Sequence, residues 1–157
     1  MGKSIIIATL MSVSFVLYQP DAHAHCQIPC GIYDDHARVG RMEEDLETIA
    51  KAVNEINVLA AKKDAQSQNQ LVRWIMNKEQ HAESIIRIIS DYFLAQKIAP
   101  TPTSDKKAQA AYKDKLALHH AVMVAAMKCK QSSSREPVKA LGQALKAIES
   151  FWPPSGK

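Results

Sequence analysis

The chain has 157 residues, enough for one domain, with 46% hydrophobic and 23% charged side chains and only 5 Gly and 7 Pro. That composition excludes a collagen-like or wholly disordered chain, and 3 cysteines are too few for a disulfide-stapled scaffold. The formal net charge of +4 is small against 36 charged side chains and gives no support for nucleic acid binding.

Residues 1–24 read as a secretory signal peptide that is removed. Lys3 supplies the positive start, Ile5 to Leu17 the apolar stretch, and Ala22-His23-Ala24 the small-residue cleavage signature. The apolar stretch is too short for a membrane span, which needs roughly 20 residues. Loss of Lys3 and Asp21 leaves the net charge unchanged. The expected product is residues 25–157, exported to the periplasm or the extracellular medium, with no stable membrane association after cleavage. Its first residue is His25.

The stretch His25-Cys26-Gln27-Ile28-Pro29-Cys30-Gly31-Ile32-Tyr33-Asp34 holds two of the three cysteines. Pro29 fixes φ and Gly31 permits unusual φ, so the chain can fold back around Cys30. After cleavage, His25 offers a free α-amine and an imidazole, Cys26 an amide nitrogen and a thiol, and Cys30 a second thiol. The amine and the next amide nitrogen close a five-membered chelate. Two nitrogens and two sulfurs in one plane suit nickel(II) or copper(II) rather than tetrahedral zinc. A Cys26–Cys30 disulfide in an exported protein and a pair of surface cysteines are the competing readings. Cys-x3-Cys without a following His does not make a c-type haem site, nor does it match the Cys-x2-Cys of thioredoxin-like proteins.

Beyond the hook, apolar residues recur at spacings of three and four, and no stretch sustains period-two alternation. The first helix carries Val39, Met42, Leu46, Ile49, Val53, Ile56 and Ala60. The second, about Asn69 to Gln96, carries Leu71, Trp74, Ile75, Ala82, Ile85, Ile86, Ile89, Tyr92 and Phe93. Pro100 and Pro102 mark a connection. The third begins near Asp105 and includes Tyr112, Leu116, His119, Val122, Met123 and Ala126. After Gln131-Ser132-Ser133-Ser134-Arg135, Glu136-Pro137 suits a first turn, and the fourth helix carries Val138, Leu141, Leu145, Ile148 and Trp152. The expected fold is all-α, an up-down four-helix bundle behind an N-terminal metal-binding hook. Ile85, Ile86, Ile88 and Ile89 cannot all face one core, and burial in an oligomer is one explanation. His119 and His120 diverge by about 100° on a helix and do not pair on one face. Cys129 reads as a small buried hydrophobe.

The hook resembles that of the nickel superoxide dismutases. Their processed terminus reads His-Cys-x-x-Pro-Cys-Gly-x-Tyr, and His25, Cys26, Pro29, Cys30, Gly31 and Tyr33 fill each fixed position. The resemblance implies a domain over 25–157 with a nickel hook at 25–34, forming homohexamers. It implies one nickel ion per subunit, held by His25, Cys26 and Cys30. It also implies disproportionation of superoxide to dioxygen and hydrogen peroxide by Ni(II)/Ni(III) cycling.

His25 resembles the residue that gives the terminal amine and an axial imidazole, Cys26 the donor of an amidate and a thiolate, and Cys30 the donor of the second thiolate. Tyr33 resembles the tyrosine standing over the open face, and Arg73 the arginine that hydrogen-bonds near the imidazole. His25, Tyr33 and Arg73 are therefore the catalytic candidates. The chain departs from the family where an imidazole-orienting glutamate stands early in the first helix. Arg41 occupies the ungapped position, and Glu43 or Glu44 fits after a small insertion. Gln27 replaces a common acidic residue. Since the leader resembles an ordinary signal peptide, signal peptidase is the implied maturation partner, exposing the amine ligand at His25. An exported nickel or copper carrier is the rival function for the same hook.

Overall fold

The computed structural model describes residues 33–154. They form four helices: α1 (Asp35–Leu59), α2 (Ala65–Arg87), α3 (Lys106–Gln131) and α4 (Arg135–Glu149). A π-helical stretch, Ile88–Lys97, continues α2. No strand occurs among the described residues. Aspartates set three of the four starts. Asp34, Asp64 and Asp105 each accept a hydrogen bond from the backbone N–H three residues on, at 3.0, 2.9 and 2.9 Å. Each thereby satisfies a donor that the first turn leaves without an intrahelical partner.

Paired residues show that the helices alternate in direction. Between α1 and the α2 rod, Asp45 meets His81 and Asp35 meets Tyr92. Between that rod and α3, Lys78 meets Cys129 and Phe93 meets His119. Between α1 and α4, Asn54 meets Arg135, and His36 meets Trp152 just beyond the helix. This is an up-down bundle. Gly142 allows α4 to approach α1 closely, since a Cβ there would lie 3.3 Å from Leu46 Cδ2. The core takes Val39, Met42 and Ile49 from α1, Ile85, Ile89 and Phe93 from the α2 rod, Val122 and Ala126 from α3, and Leu141, Leu145 and Ile148 from α4.

Three expectations change. Ile85 and Ile89 are fully buried, and Ile86 and Ile88 are half-buried and also packed against the core. All four isoleucines therefore serve one core, because the α2 rod lies between α1 and α3 and has apolar neighbours on two sides. The exposed apolar residues of α2 are instead Val72, Ile75 and Met76, at 56%, 40% and 56% exposure. They fall at i, i+3 and i+4, one stripe on the helix surface. Second, α4 stops at Glu149, so Trp152 follows the helix. Third, the end of the second helix is π-helical, with Ile98 N–H donating to Phe93 C=O at 2.9 Å. Such wide turns concentrate at functional sites, and this one carries Tyr92 and Phe93.

Lys78 binds α2 to the end of α3. Its ammonium is buried and donates to the carbonyls of Cys129 and Lys130, both at 2.6 Å, and to Glu79 Oε1 at 3.0 Å. All three donors are used, and the charge sits at a helix C-terminus, where the macrodipole favours a cation. Between α1 and α2, buried Asp45 accepts from His81 Nδ1 at 2.6 Å through Oδ1, while Oδ2 has no protein partner.

Candidate metal centre

His25, Cys26 and Cys30 lie outside the described residues, as does the proposed leader 1–24. The description begins at Tyr33, three residues after Cys30. Tyr33 is 45% exposed. The Arg38 guanidinium stacks on its ring at 3.7 Å from the centroid and lies 5.5 Å from the Tyr92 ring. The two tyrosine rings are 6.1 Å apart. Arg38 reaches Tyr33 because α1 starts between them. Asp34 caps the helix and Arg38 stands one turn in, over the incoming chain.

Tyr92 closes the other side. Its hydroxyl donates to Asp35 Oδ1 at 2.5 Å and lies 3.2 Å from the Tyr33 carbonyl. Burial, then the hydrogen bond and charge of Asp35, push the Tyr92 phenol well above its ordinary value. Tyr92 thus stays protonated at any physiological pH. Lys97 Nζ pairs with Asp35 at 3.0 Å and lies 5.9 Å from the Tyr92 ring centroid.

Behind this pair lies an aromatic layer. Phe93 contacts Tyr92 edge-on at 5.2 Å, Trp152 at 4.7 Å and His119 at 5.6 Å between ring centroids. His119 is fully buried; its Nδ1–H donates to the Lys115 carbonyl at 2.8 Å and its Nε2 accepts from the Trp152 indole N–H at 3.0 Å. Only the neutral imidazole can make both bonds. Burial lowers the His119 pKa from its ordinary 6.5, and the Lys115 charge adds to the shift. His36, in the first turn of α1, donates from Nδ1 to the Trp152 carbonyl at 3.1 Å. Trp152 therefore links the start of α1 to α3.

Tyr33 lies at this end of the bundle and Arg73 does not. Arg73 sits early in α2, exposed, with its guanidinium 3.5 Å from Gln70 Oε1. At 1.5 Å per residue, the helix from Arg73 to Arg87 alone spans about 21 Å, and Tyr92 lies beyond it. Within one chain, then, the structure does not bring Arg73 to Tyr33. Glu43 and Glu44 are both exposed on α1, and Glu44 pairs with Arg41 at 3.2 Å. His120 is exposed, and Cys129 is buried with its thiol pushed up to about 11 by burial. Cys129 thus behaves as a packed apolar group, not a ligand.

Sequence reasoning missed Arg38, Asp35 and Lys97, and placed Tyr92 only in an apolar seam. The periodicity that marks Tyr92 as inward-facing cannot show its hydroxyl reaching the start of another helix. The Asp45–His81 pair escaped for the same reason, since Asp45 lies beside the α1 apolar seam, whose rhythm runs unbroken through Met42, Leu46 and Ile49.

No group of three or more His, Cys, Asp or Glu side chains able to hold a metal occurs among the described residues. The described residues thus form an all-helical bundle, and the candidate metal donors His25, Cys26 and Cys30 precede it in the sequence. The family model for nickel-containing superoxide dismutase matches residues 20–155, and the chain belongs to that family. The matched span includes the whole of the His25–Tyr33 motif. No curated protein and no solved structure gives a significant match. The chain is accordingly an oxidoreductase, a superoxide dismutase that uses nickel.

Proposed function

We propose that nickel is held by the hook of the processed chain, with His25 supplying amine and imidazole, Cys26 amidate and thiolate, and Cys30 the second thiolate. The family match across the motif carries this reading. The donor set fits the metal, since two thiolates with nitrogen donors suit square-planar nickel(II). Nickel bound there would supply a Ni(II)/Ni(III) couple, so that two superoxide ions and two protons become dioxygen and hydrogen peroxide. The chain's own residues provide the surroundings. Tyr33 stands where the hook meets the bundle, beside the approach of a small anion. Tyr92 and Asp35 hold the backbone carbonyl and helix start on which Tyr33 rests. Lys97 pairs with Asp35, and Arg38 lies over the Tyr33 ring.

The precursor is inactive on this reading, because the amine at His25 exists only after cleavage following Ala24. The same cleavage implies export to the periplasm or beyond. Assembly into homohexamers accounts for the Val72, Ile75 and Met76 stripe, which a single chain leaves exposed. Arg73 lies between these residues, so a subunit contact on that stripe would carry it toward a neighbouring subunit.

Intact mass and metal analysis of the purified protein test the proposal. The expected product begins at His25, has reduced Cys26 and Cys30, and carries one nickel per chain. Cys26→Ser or Cys30→Ser should abolish nickel retention. His25→Gln should retain metal and lose turnover. An active chain that begins at Met1, or one with a Cys26–Cys30 disulfide, would overturn it.

A further inference from the structure

We propose that the groove between α1 and α4 binds a small amphiphile with one anionic head and a short apolar tail, a medium-chain carboxylate. The cavity measures about 490 Å³, a size usual for small-molecule sites. Its apolar lining is Leu46, Ala50 and Val53 from α1 and Val138 and Gly142 from α4. Val53 is buried and the other four are half-buried. Gly142 brings the two helices close at one end, where a Cβ would lie 3.3 Å from Leu46 Cδ2.

Charge is distributed unevenly along this groove, and that choice of head group follows from it. Arg135 marks the opposite end, where its Nε–H donates to Asn54 Oδ1 at 3.1 Å. Lys139, also in the lining, follows one turn later on the same helix. Both cations are exposed, and neither pairs with a carboxylate among the described residues. Glu136 stands between them in sequence but does not line the groove. The N-terminus of α4 opens at this end without a side-chain cap, so its dipole adds to the positive potential. Glu47 is the one acid in the lining and lies beside Leu46, at the Gly142 end. It stands seven residues from Asn54 on α1, about 10 Å along the helix. A carboxylate head therefore belongs at Arg135 and Lys139, which offer charge-assisted hydrogen bonds. Its tail lies along the apolar lining toward Gly142. An extended eight-carbon chain, about 9 Å long, fills that run. A cationic head would meet repulsion at the same end.

The test is calorimetric titration of the nickel-loaded, fully assembled enzyme with butanoate, octanoate and octylamine. Octanoate should bind saturably, one per chain, with a Kd of about 0.1–1 mM. Each methylene added between butanoate and octanoate should tighten binding by up to about fourfold. Octylamine should not bind. The double substitution Arg135→Gln with Lys139→Gln should weaken octanoate about tenfold. Ala50→Leu exchanges one good helix former for another and fills the middle of the lining. It should abolish octanoate binding with the helical signal intact. Should that signal be lost, the two surface substitutions decide alone. No saturable binding of octanoate would overturn the proposal, as would octylamine binding equally well or an affinity that neither variant changes. A lower assembled mass for Ala50→Leu in light scattering would show that a second copy of the chain covers the groove, and would overturn it as well.

Discussion

Acidification should weaken this fold through His119, and the sign follows from its contacts. The ring is fully buried, donates through Nδ1 to Lys115 and accepts through Nε2 from Trp152. Protonation would put a hydrogen on Nε2, facing the indole N–H, and would place a charge in the aromatic layer. Its folded-state pKa is accordingly below the ordinary 6.5. For a base shifted down, the unfolded chain binds more protons than the folded one between the two values. Stability is therefore complete above about pH 6.5 and falls as pH drops below it, until the folded-state value is passed. Within that window one proton costs up to about 1.4 kcal/mol per pH unit.

The assay is urea unfolding at a fixed protein concentration, at several pH values from 7.5 downward, for the wild type and His119→Gln. Glutamine is neutral throughout, so the variant should begin less stable and lose less on acidification. The difference between the curves should narrow as pH falls below 6.5. Parallel curves would refute the argument, showing that His119 does not carry the proton linkage.

Two other perturbations are informative. Lys78→Met removes an ammonium that holds two carbonyls at the end of α3 and pairs with Glu79; a loss of about 2–4 kcal/mol is expected, read as a Tm lower by about 10 °C, and a change within about 2 °C would show that water replaces the bonds. Met76→Glu places a charge in the exposed stripe. It should lower the assembled mass in light scattering while leaving the helical signal intact, and an unaltered mass would exclude the stripe as a subunit contact.

How much was legible in the sequence differs by element. Helix positions came directly from three–four periodicity, because burying one face of a helix requires that spacing whatever the partner. The first and third helices fall where the spacing predicts them, and Asp105 marks its start by capping. The end of the second helix was misread in kind. Its apolar spacing does not distinguish an α turn from the π turn that carries Tyr92 and Phe93. Trp152 continued the rhythm of α4, yet it lies past the helix, because its indole is committed to His119 and its carbonyl to His36.

By itself, the sequence determined the all-helical bundle and carried the family motif at His25–Tyr33, since both depend on local order. Helical periodicity is a property of neighbours along the chain, and the proposed nickel donors are close neighbours in sequence. Tertiary structure decided what meets around Tyr33 and the start of α1. Asp35, Arg38, Tyr92 and Lys97 come from two helical rods and converge only because those rods run antiparallel. It also separated Arg73 from Tyr33 along a rigid α2, and moved the exposed apolar stripe from the isoleucines to Val72, Ile75 and Met76. Spacing shows which residues share a face, but only packing shows which faces are covered.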